Sequence, residues 1–163
     1  MIYILTGPIH SGKTSALRNW CQGRNDVDGL LSPDDDSGTR YFYEIAKGNS
    51  FAFEATASDA EPTITVGPFR FLTAAFERAN RYLTEAAKGA HSTYLVLDEL
   101  GKLELKDKGL HEGARLLIPQ FQESTTRHLV LVIRDTLVEA AIAHYKIGHH
   151  RLLRKEELLR TLD

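Results

Sequence analysis

The feature of this chain that most constrains its fold is a short apolar run, residues 1–6, followed directly by the glycine-rich segment 7–14. β-Branched and aromatic side chains in the run predict a buried strand. The segment that follows, GPIHSGKT, fits the pattern G-x-x-x-x-G-K-[ST] without a mismatch. Residues 15–22 then place their apolar side chains on one helical face, which predicts a helix. A strand, a glycine-rich turn and a helix in this order predict a phosphate-binding loop.

Each residue type in this loop has a physical role towards an anionic phosphate chain. Gly7 and Gly12 allow the backbone N–H groups to approach the phosphates closely. The helix that follows presents its positive N-terminus to the same oxygens. Lys13 adds a full positive charge near the β- and γ-phosphates, and the Thr14 hydroxyl suits a Mg²⁺ ligand. The predicted nucleotide-binding residues are Gly7, Pro8, Ile9, His10, Ser11, Gly12, Lys13, Thr14 and Ser15.

A second predicted site element is a pair of carboxylates after another apolar run. Residues 94–97, YLVL, predict a buried strand, and Asp98 and Glu99 follow it directly. In parallel sheets the carboxyl ends of the strands meet at the edge where phosphate loops also lie. Asp98 therefore fits a Mg²⁺ ligand, either direct or through water, and Glu99 fits the group that orients or deprotonates an attacking water.

Apolar runs and amphipathic stretches alternate along the rest of the chain. Apolar runs predict further strands at residues 93–97, 128–133 and 150–153. Spacings of three and four predict helices at about 70–88, 109–123, 136–145 and 156–162. Buried strands that alternate with helices indicate an α/β fold with a mostly parallel sheet covered on both faces, a three-layer α/β/α arrangement.

Three local signals add detail to this outline. Pro119 predicts a kink or break near Ile118 in the helix at 109–123. Thr136 and Glu139 have the spacing of a capping box that opens the next helix. The turn-rich segment 23–68 contains two aromatic or β-branched stretches, 41–45 and 51–57, that predict a β-hairpin insertion within a single domain spanning residues 1–163.

Composition limits the function classes. The hydrophobic fraction of 42% and the charged fraction of 26% are those of an ordinary globular domain. Lys and Arg total 20 against 22 Asp and Glu, and this lack of a basic surplus argues against a nucleic-acid partner. No apolar run reaches the roughly 18–20 residues of a membrane span, and the first residues do not have the pattern of a signal peptide. With a single cysteine, Cys21, the expected location is the reducing cytoplasm.

One segment is specific enough to point to a known family. Residues 98–105, DELGKLEL, resemble the D-E-I-G-K-M-E-L signature of THEP-type nucleoside triphosphatases, a family that includes the cancer-related nucleoside triphosphatase. Leu103 stands where that family usually has Met. Weaker similarities follow in the same order along the chain: Gly7-Pro8, residues 28–33 (DGLLSP), residues 38–45 (GTRYFYEI) and residues 66–69 (VGPF).

The resemblance implies a RecA-like P-loop NTPase core with a small inserted β-hairpin. It also implies Mg²⁺-dependent hydrolysis of nucleoside triphosphates such as ATP and GTP, with loose preference for the base. Carried over residue by residue, Lys13 and Thr14 bind phosphate and Mg²⁺, Asp98 supports the metal, and Glu99 is the general base. The hairpin lacks the doubled glycine and one arginine of the family pattern and has Asp34–Asp36 instead.

Several assignments stay open at the level of sequence. An arginine often neutralises charge on the transferred phosphoryl group, and Arg40 is the first candidate, with Arg134 the second. Arg154 and Lys155 are candidates for the border of a base pocket. His149 and His150 are adjacent on a predicted strand and point to opposite faces, which argues against a shared metal. Two alternatives to a hydrolase stay open. One is a small-molecule or nucleotide kinase with the same phosphate loop, and the other is a slow nucleotide-dependent switch that acts through a protein partner.

Overall fold

The structure is a computed structural model that describes residues 1–57 and 59–162; Ser58, within the predicted insertion, and Asp163 lie outside the described residues. The strands are β1 (Ile2–Gly7), β2 (Val27–Leu31), β3 (Tyr41–Glu44), β4 (Asn49–Ala52), β5 (Thr63–Val66), β6 (Phe69–Leu72), β7 (Tyr94–Leu100), β8 (His128–Arg134) and β9 (His150–Leu153). The α-helices are α1 (Lys13–Cys21), α2 (Thr73–Lys88), α3 (His111–Glu123), α4 (Val138–Tyr145) and α5 (Leu158–Thr161).

A seven-stranded sheet in the order β4-β3-β2-β7-β8-β1-β9 forms the centre of the molecule. Strands β2, β7, β8, β1 and β9 are parallel, and β3 and β4 extend one edge in antiparallel pairing. The central strands are near-continuous apolar runs because both faces of the sheet are covered. The predicted α/β fold with a mostly parallel sheet is confirmed.

The helices cover the sheet in two layers with separate cores. On one face, α2, α3 and α4 pack around buried side chains that include Phe42, Leu83 and Phe121. On the other face, α1 and α5 pack around Leu17, Trp20 and other buried residues. The arrangement is therefore three-layered, as the alternation of strands and helices predicts. None of the described helices is long and apolar enough to cross a bilayer.

Strand β2 is a central strand that the sequence did not predict. Its five residues, VDGLL, contain Asp28 and Gly29, which are typical of turns. Gly29 has φ 116°, and a Cβ there would lie 2.1 Å from the carbonyl oxygen of Val96 on β7. The Asp28 carboxylate accepts hydrogen bonds from the Tyr82 hydroxyl at 2.5 Å and from the Gly29 N–H at 2.6 Å. The close approach of β2 to β7 explains why glycine stands at position 29. The hydrogen bonds to its carboxylate explain why Asp28 is tolerated in a central strand.

The two hairpins differ in how well the sequence predicted them. The predicted hairpin is present as β3 and β4, with Tyr41 opposite Ala52, although its second strand is residues 49–52 rather than 51–57. A second hairpin, β5 and β6, was not predicted. Its second strand occupies residues 69–72, so α2 begins at Thr73 rather than near Arg70. The reason is Phe71, which packs as a strand residue against the rings of Phe53 and Phe76.

The structure differs from two local predictions for the helices. Of the kink or break predicted near Ile118, the break is absent, because α3 runs continuously through Pro119. Both Pro119 and Arg115, whose carbonyl loses its hydrogen bond, are exposed, so water can bind that carbonyl. Thr136 and Glu139 form no capping box, because residues 135–137 form a 3-10 turn and α4 begins only at Val138. The side chain of Asp135 accepts the N–H of Thr136 instead.

Candidate functional site

The predicted phosphate loop and the Asp98–Glu99 pair meet at the carboxyl edge of the central sheet. Strand β1 leads into the loop at residues 7–12, and α1 starts at Lys13. Strand β8 lies between β1 and β7, so Asp98, near the carboxyl end of β7, is two strands away from the strand that leads into the loop. Parallel pairing brings all these ends to the same edge.

The loop has the backbone conformation that its glycines predict. Gly12 has φ 84° and immediately precedes α1, and His10 also has a positive φ of 57°. The Lys13 side chain is only 8% exposed. Its ammonium group donates to the carbonyls of Pro8 at 2.7 Å and Gly7 at 3.2 Å, and lies 3.4 Å from the Ser11 hydroxyl. The positive charge of Lys13 therefore lies next to the first residues of the loop.

Thr14 and Asp98 form the link between the loop and strand β7. The Thr14 hydroxyl donates to Oδ2 of Asp98 at 2.8 Å. The N–H of Ser32, which follows β2, donates to the same oxygen at 3.0 Å, and the Ser32 hydroxyl donates to the Asp98 carbonyl. Ser32 is a site residue that the sequence did not reveal, because its strand was not predicted.

The Asp98 carboxyl group is completely buried. Burial is the main reason that the pKa of Asp98 is raised to about 6; the nearby Glu99 charge acts in the same direction, whereas hydrogen bonds from Ser32 and Thr14 and the charge of Lys13 oppose the rise. Burying an ionised carboxylate is unfavourable unless a cation or hydrogen bonds compensate it. The site therefore favours a cation beside Asp98.

The residues present fit a Mg²⁺ ion. Oδ1 of Asp98 is buried and has no hydrogen-bond partner in the described part of the chain. The Thr14 hydroxyl lies beside the other oxygen of the same carboxylate. A carboxylate and a hydroxyl next to a phosphate loop are hard oxygen donors of the kind that Mg²⁺ prefers. Thr14 and Asp98 are the two side chains that would hold the ion.

Glu99 occupies an irregularity of strand β7. The pairing of β7 with β8 shifts between Asp98 and Leu100, so Glu99 has no partner residue in that register. A bulge at a strand end changes the direction of the side chain, and bulges are frequent next to active sites. Glu99 is partly exposed, whereas Asp98 is fully buried. The two neighbouring carboxylates thus have different environments.

Comparison with known proteins gives one informative similarity. No family model matches this chain, and no curated protein sequence matches it. Among solved structures, THEP1 from the hyperthermophile Aquifex aeolicus is similar, with a TM-score of 0.74 and 19% sequence identity over 100% of this chain and 97% of that chain. This chain has the THEP1 fold. The similarity confirms the fold that the family resemblance implies, a P-loop NTPase-type α/β fold with a mostly parallel sheet.

Within this THEP1 fold, the two candidate arginines lie in different settings. Arg134 is the register partner of Gly7, the first residue of the loop, and its buried Nε has no hydrogen-bond partner among the described residues. The guanidinium of Arg40 lies over the ring of Phe69, 4.5 Å from its centre, and 5.8 Å from that of Phe71. The structure therefore places Arg134 beside the phosphate loop, whereas the side chain of Arg40 packs against the β5–β6 hairpin.

The C-terminal segment of the THEP1 fold also reaches the loop. The ammonium group of Lys155 donates to the carbonyl of Ser11 at 2.5 Å, and a Cβ at Gly12 would lie 3.5 Å from it. From the sequence, Lys155 was only an open candidate near a base pocket. Its position depends on the pairing of β9 with β1, which brings residue 155 over the loop.

Glu104, in the segment that resembles the family signature, organises the chain after β7. The side chain is 4% exposed and accepts hydrogen bonds from the N–H groups of Gly101 at 2.8 Å and Leu110 at 3.0 Å. Burial raises the pKa of Glu104 to about 7, although these hydrogen bonds lower it. Its carboxylate therefore holds together the two ends of the segment 101–110, which follows β7.

Proposed function

We propose that this protein is a Mg²⁺-dependent nucleoside triphosphatase that converts ATP, GTP or related triphosphates to the diphosphate and inorganic phosphate. The observation that carries this proposal is the hydrogen bond between Thr14 of the loop and the buried carboxylate of Asp98, with Lys13 next to the first residues of the loop. The similarity to the THEP1 structure supports it at the level of the fold, which brings the loop and the end of β7 to one edge of the sheet in this chain.

Binding of the triphosphate rests on the loop. The backbone N–H groups of residues 7 and 9–14, including those at the N-terminus of α1, donate hydrogen bonds to the phosphate oxygens. Lys13 exchanges its contacts with the Gly7 and Pro8 carbonyls for the β- and γ-phosphates. Thr14 and Asp98 hold the Mg²⁺, which when bound withdraws charge from the phosphate oxygens. This recognition needs no basic surplus, in agreement with the net charge of −2.

Hydrolysis requires a water molecule aligned with the γ-phosphorus. Glu99 accepts a proton from this water as the water oxygen bonds to phosphorus, and the bond from phosphorus to the bridging oxygen breaks. The electron pair leaves on the diphosphate, so the products are a nucleoside diphosphate and phosphate. Glu99 suits this role because it is partly exposed beside the fully buried Asp98.

An arginine is expected to neutralise charge on the transferred group. Arg134 is the better supported candidate, because it lies beside Gly7 and its buried Nε lacks a partner in the described residues. Arg40, the first candidate from the sequence, becomes the second, because its guanidinium stacks on Phe69. An arginine at this point is worth several orders of magnitude in rate in related chemistry.

We also propose that the enzyme works in the cytoplasm. Cys21 is a free thiol at the end of α1, buried in the core between α1 and the sheet. Burial raises the pKa of this thiol to about 12, so it is not a reactive nucleophile. A single buried cysteine is typical of a protein from a reducing compartment.

The test is a screen of phosphate release from ATP, GTP, CTP and UTP with Mg²⁺ or with EDTA, and without an acceptor. Phosphate release that needs Mg²⁺ and disappears in Lys13→Ala supports the hydrolase, with Lys106→Ala as a surface control. Turnover only after addition of small-molecule or nucleotide acceptors would show a kinase instead. Tight nucleotide binding with feeble turnover that a partner protein stimulates would show a regulatory switch.

A further inference from the structure

Three potential metal ligands lie together at a place that the proposed hydrolysis does not use. Asp107, His111 and His144 each offer one ligand atom, and these atoms all lie within 4.8 Å of one another. The cluster lies beyond the segment that follows β7, near the interface of α3 and α4. It is separate from Thr14 and Asp98, which belong to the loop edge.

Three different elements bring these side chains together. Asp107 ends the 3-10 turn at Glu104–Lys106 in a left-handed conformation with φ 60°. His111 is the first residue of α3. His144 lies in the last turn of α4, which packs against α3. The convergence therefore comes from tertiary structure and not from a local sequence motif.

The distances between the donor atoms are close to those of a coordination shell. Oδ1 of Asp107 lies 2.8 Å from Nε2 of His144 and 3.4 Å from Nδ1 of His111. In a tetrahedral zinc site with ligand distances near 2.1 Å, neighbouring donor atoms are about 3.4 Å apart. Small side-chain movements are therefore enough to place one ion among the three groups.

A tyrosine hydroxyl lies beside the His111 ligand atom. The Tyr145 hydroxyl lies 2.9 Å from Nδ1 of His111 and donates to the carbonyl of Glu104 at 3.1 Å. A metal ion at Nδ1 replaces the contact with Tyr145, whose hydroxyl keeps its hydrogen bond to Glu104. The cluster borders a cavity of about 290 Å³, so water can complete the coordination.

We propose that Asp107, His111 and His144 form a binding site for a divalent transition-metal ion of the Zn²⁺ class. Two imidazole nitrogens and one carboxylate suit Zn²⁺, Co²⁺ or Ni²⁺, whereas Mg²⁺ prefers an all-oxygen shell. The site has three protein ligands and room for water. Bound metal cross-links α3, α4 and the turn that follows the 98–105 segment, so it stabilises the folded chain by mass action.

The experiment is a titration of the untagged full-length protein with Zn²⁺ by calorimetry, and with Co²⁺ followed by its visible absorption. We expect one ion per chain, and a melting temperature that rises with added Zn²⁺. His144→Ala and Asp107→Ala should each weaken binding by about tenfold or more and remove the thermal shift. His149→Ala, which changes an exposed histidine outside the cluster, should change neither readout.

Two further variants keep the test decisive. Asp98→Asn should leave Zn²⁺ binding intact, because that residue belongs to the proposed Mg²⁺ site. If His144→Ala does not fold, His144→Gln preserves volume and hydrogen bonding at lower metal affinity. Equal Zn²⁺ affinity in the wild type and the His144 and Asp107 variants, or loss of binding in His149→Ala or Asp98→Asn, would overturn the assignment.

Discussion

The Thr14 hydroxyl donates a 2.8 Å hydrogen bond to Oδ2 of Asp98, and this contact joins residues that are 84 positions apart in sequence. It links the first turn of α1 to the end of β7 at the carboxyl edge of the sheet. The other carboxylate oxygen is buried without a partner in the described residues. The pair therefore defines where a cation would lie relative to the loop.

The first prediction concerns the Thr14 hydroxyl. Thr14→Val keeps the shape of the side chain but removes a metal ligand and the hydrogen bond to Asp98. We expect kcat/KM for ATP or GTP to fall by at least about tenfold and the Mg²⁺ concentration at half-maximal rate to rise. Thr14→Ser, which keeps the hydroxyl, is the control. A Val variant with wild-type Mg²⁺ dependence would contradict the ligand assignment.

The second prediction separates the two arginines. Arg134→Ala should lower kcat by about a hundredfold or more and leave nucleotide affinity within a few-fold, because the group acts on charge that develops during transfer. Arg40→Ala should change kcat much less, because its guanidinium lies over Phe69. Steady-state kinetics and equilibrium nucleotide binding measure both effects. The reverse order of the two losses would favour Arg40.

The third prediction tests the close approach of β2 to β7. A methyl group at Gly29 would collide with the backbone of Val96, so Gly29→Ala should lower the free energy of unfolding by about 3 kcal/mol. Gly38 also has a positive φ, 82°, but no atom lies within 4 Å of its Cβ position. Gly38→Ala should therefore lose only about 1 kcal/mol. Urea unfolding gives both values, and equal losses would show that φ alone is responsible.

The fourth prediction is the pH dependence of stability at Glu104. Burial raises the pKa of this carboxyl group from its usual 4.5 to about 7. Between these values the folded protein holds a proton that the unfolded chain has released, so this residue contributes less stability as pH rises through about 7. Glu104→Gln lacks this titration and cannot satisfy both N–H groups.

The measurement for Glu104 is the difference in unfolding free energy between wild type and Glu104→Gln at several pH values. We expect the variant to lose most at about pH 5 and least at about pH 8. Glu112→Gln, which changes an exposed glutamate paired with Arg115, controls for general charge effects. A loss that stays constant or grows with pH would contradict the buried state of Glu104.

The sequence predicted the parts of the molecule that depend on local pattern. The loop at 7–14, the strand that carries Asp98 near its carboxyl end, and the alternation of strands and helices all follow from motif and periodicity. Strand β2 was hidden because Asp28 and Gly29 look like turn residues, and only the approach to Val96 and the bond to Tyr82 explain them. Ser32 was missed for the same reason.

Features that need long-range packing were not predictable from one sequence. Asp107, His111 and His144 come together only because α3 packs against α4. Pro119 looked like a helix break, yet its exposed position lets the helix continue. The adjacent pair His149 and His150 was the visible histidine motif, whereas the proposed metal site uses two histidines that are distant in sequence.

The central claim is that Glu99 activates water for hydrolysis of a triphosphate held by the loop. The most direct measurement is single-turnover phosphate release by wild type and Glu99→Gln with saturating protein, Mg²⁺ and ATP or GTP, together with equilibrium nucleotide binding. We expect Glu99→Gln to bind the nucleotide about as tightly as the wild type and to release phosphate at least about a hundredfold more slowly. Equal rates of phosphate release in the two proteins would contradict this mechanism.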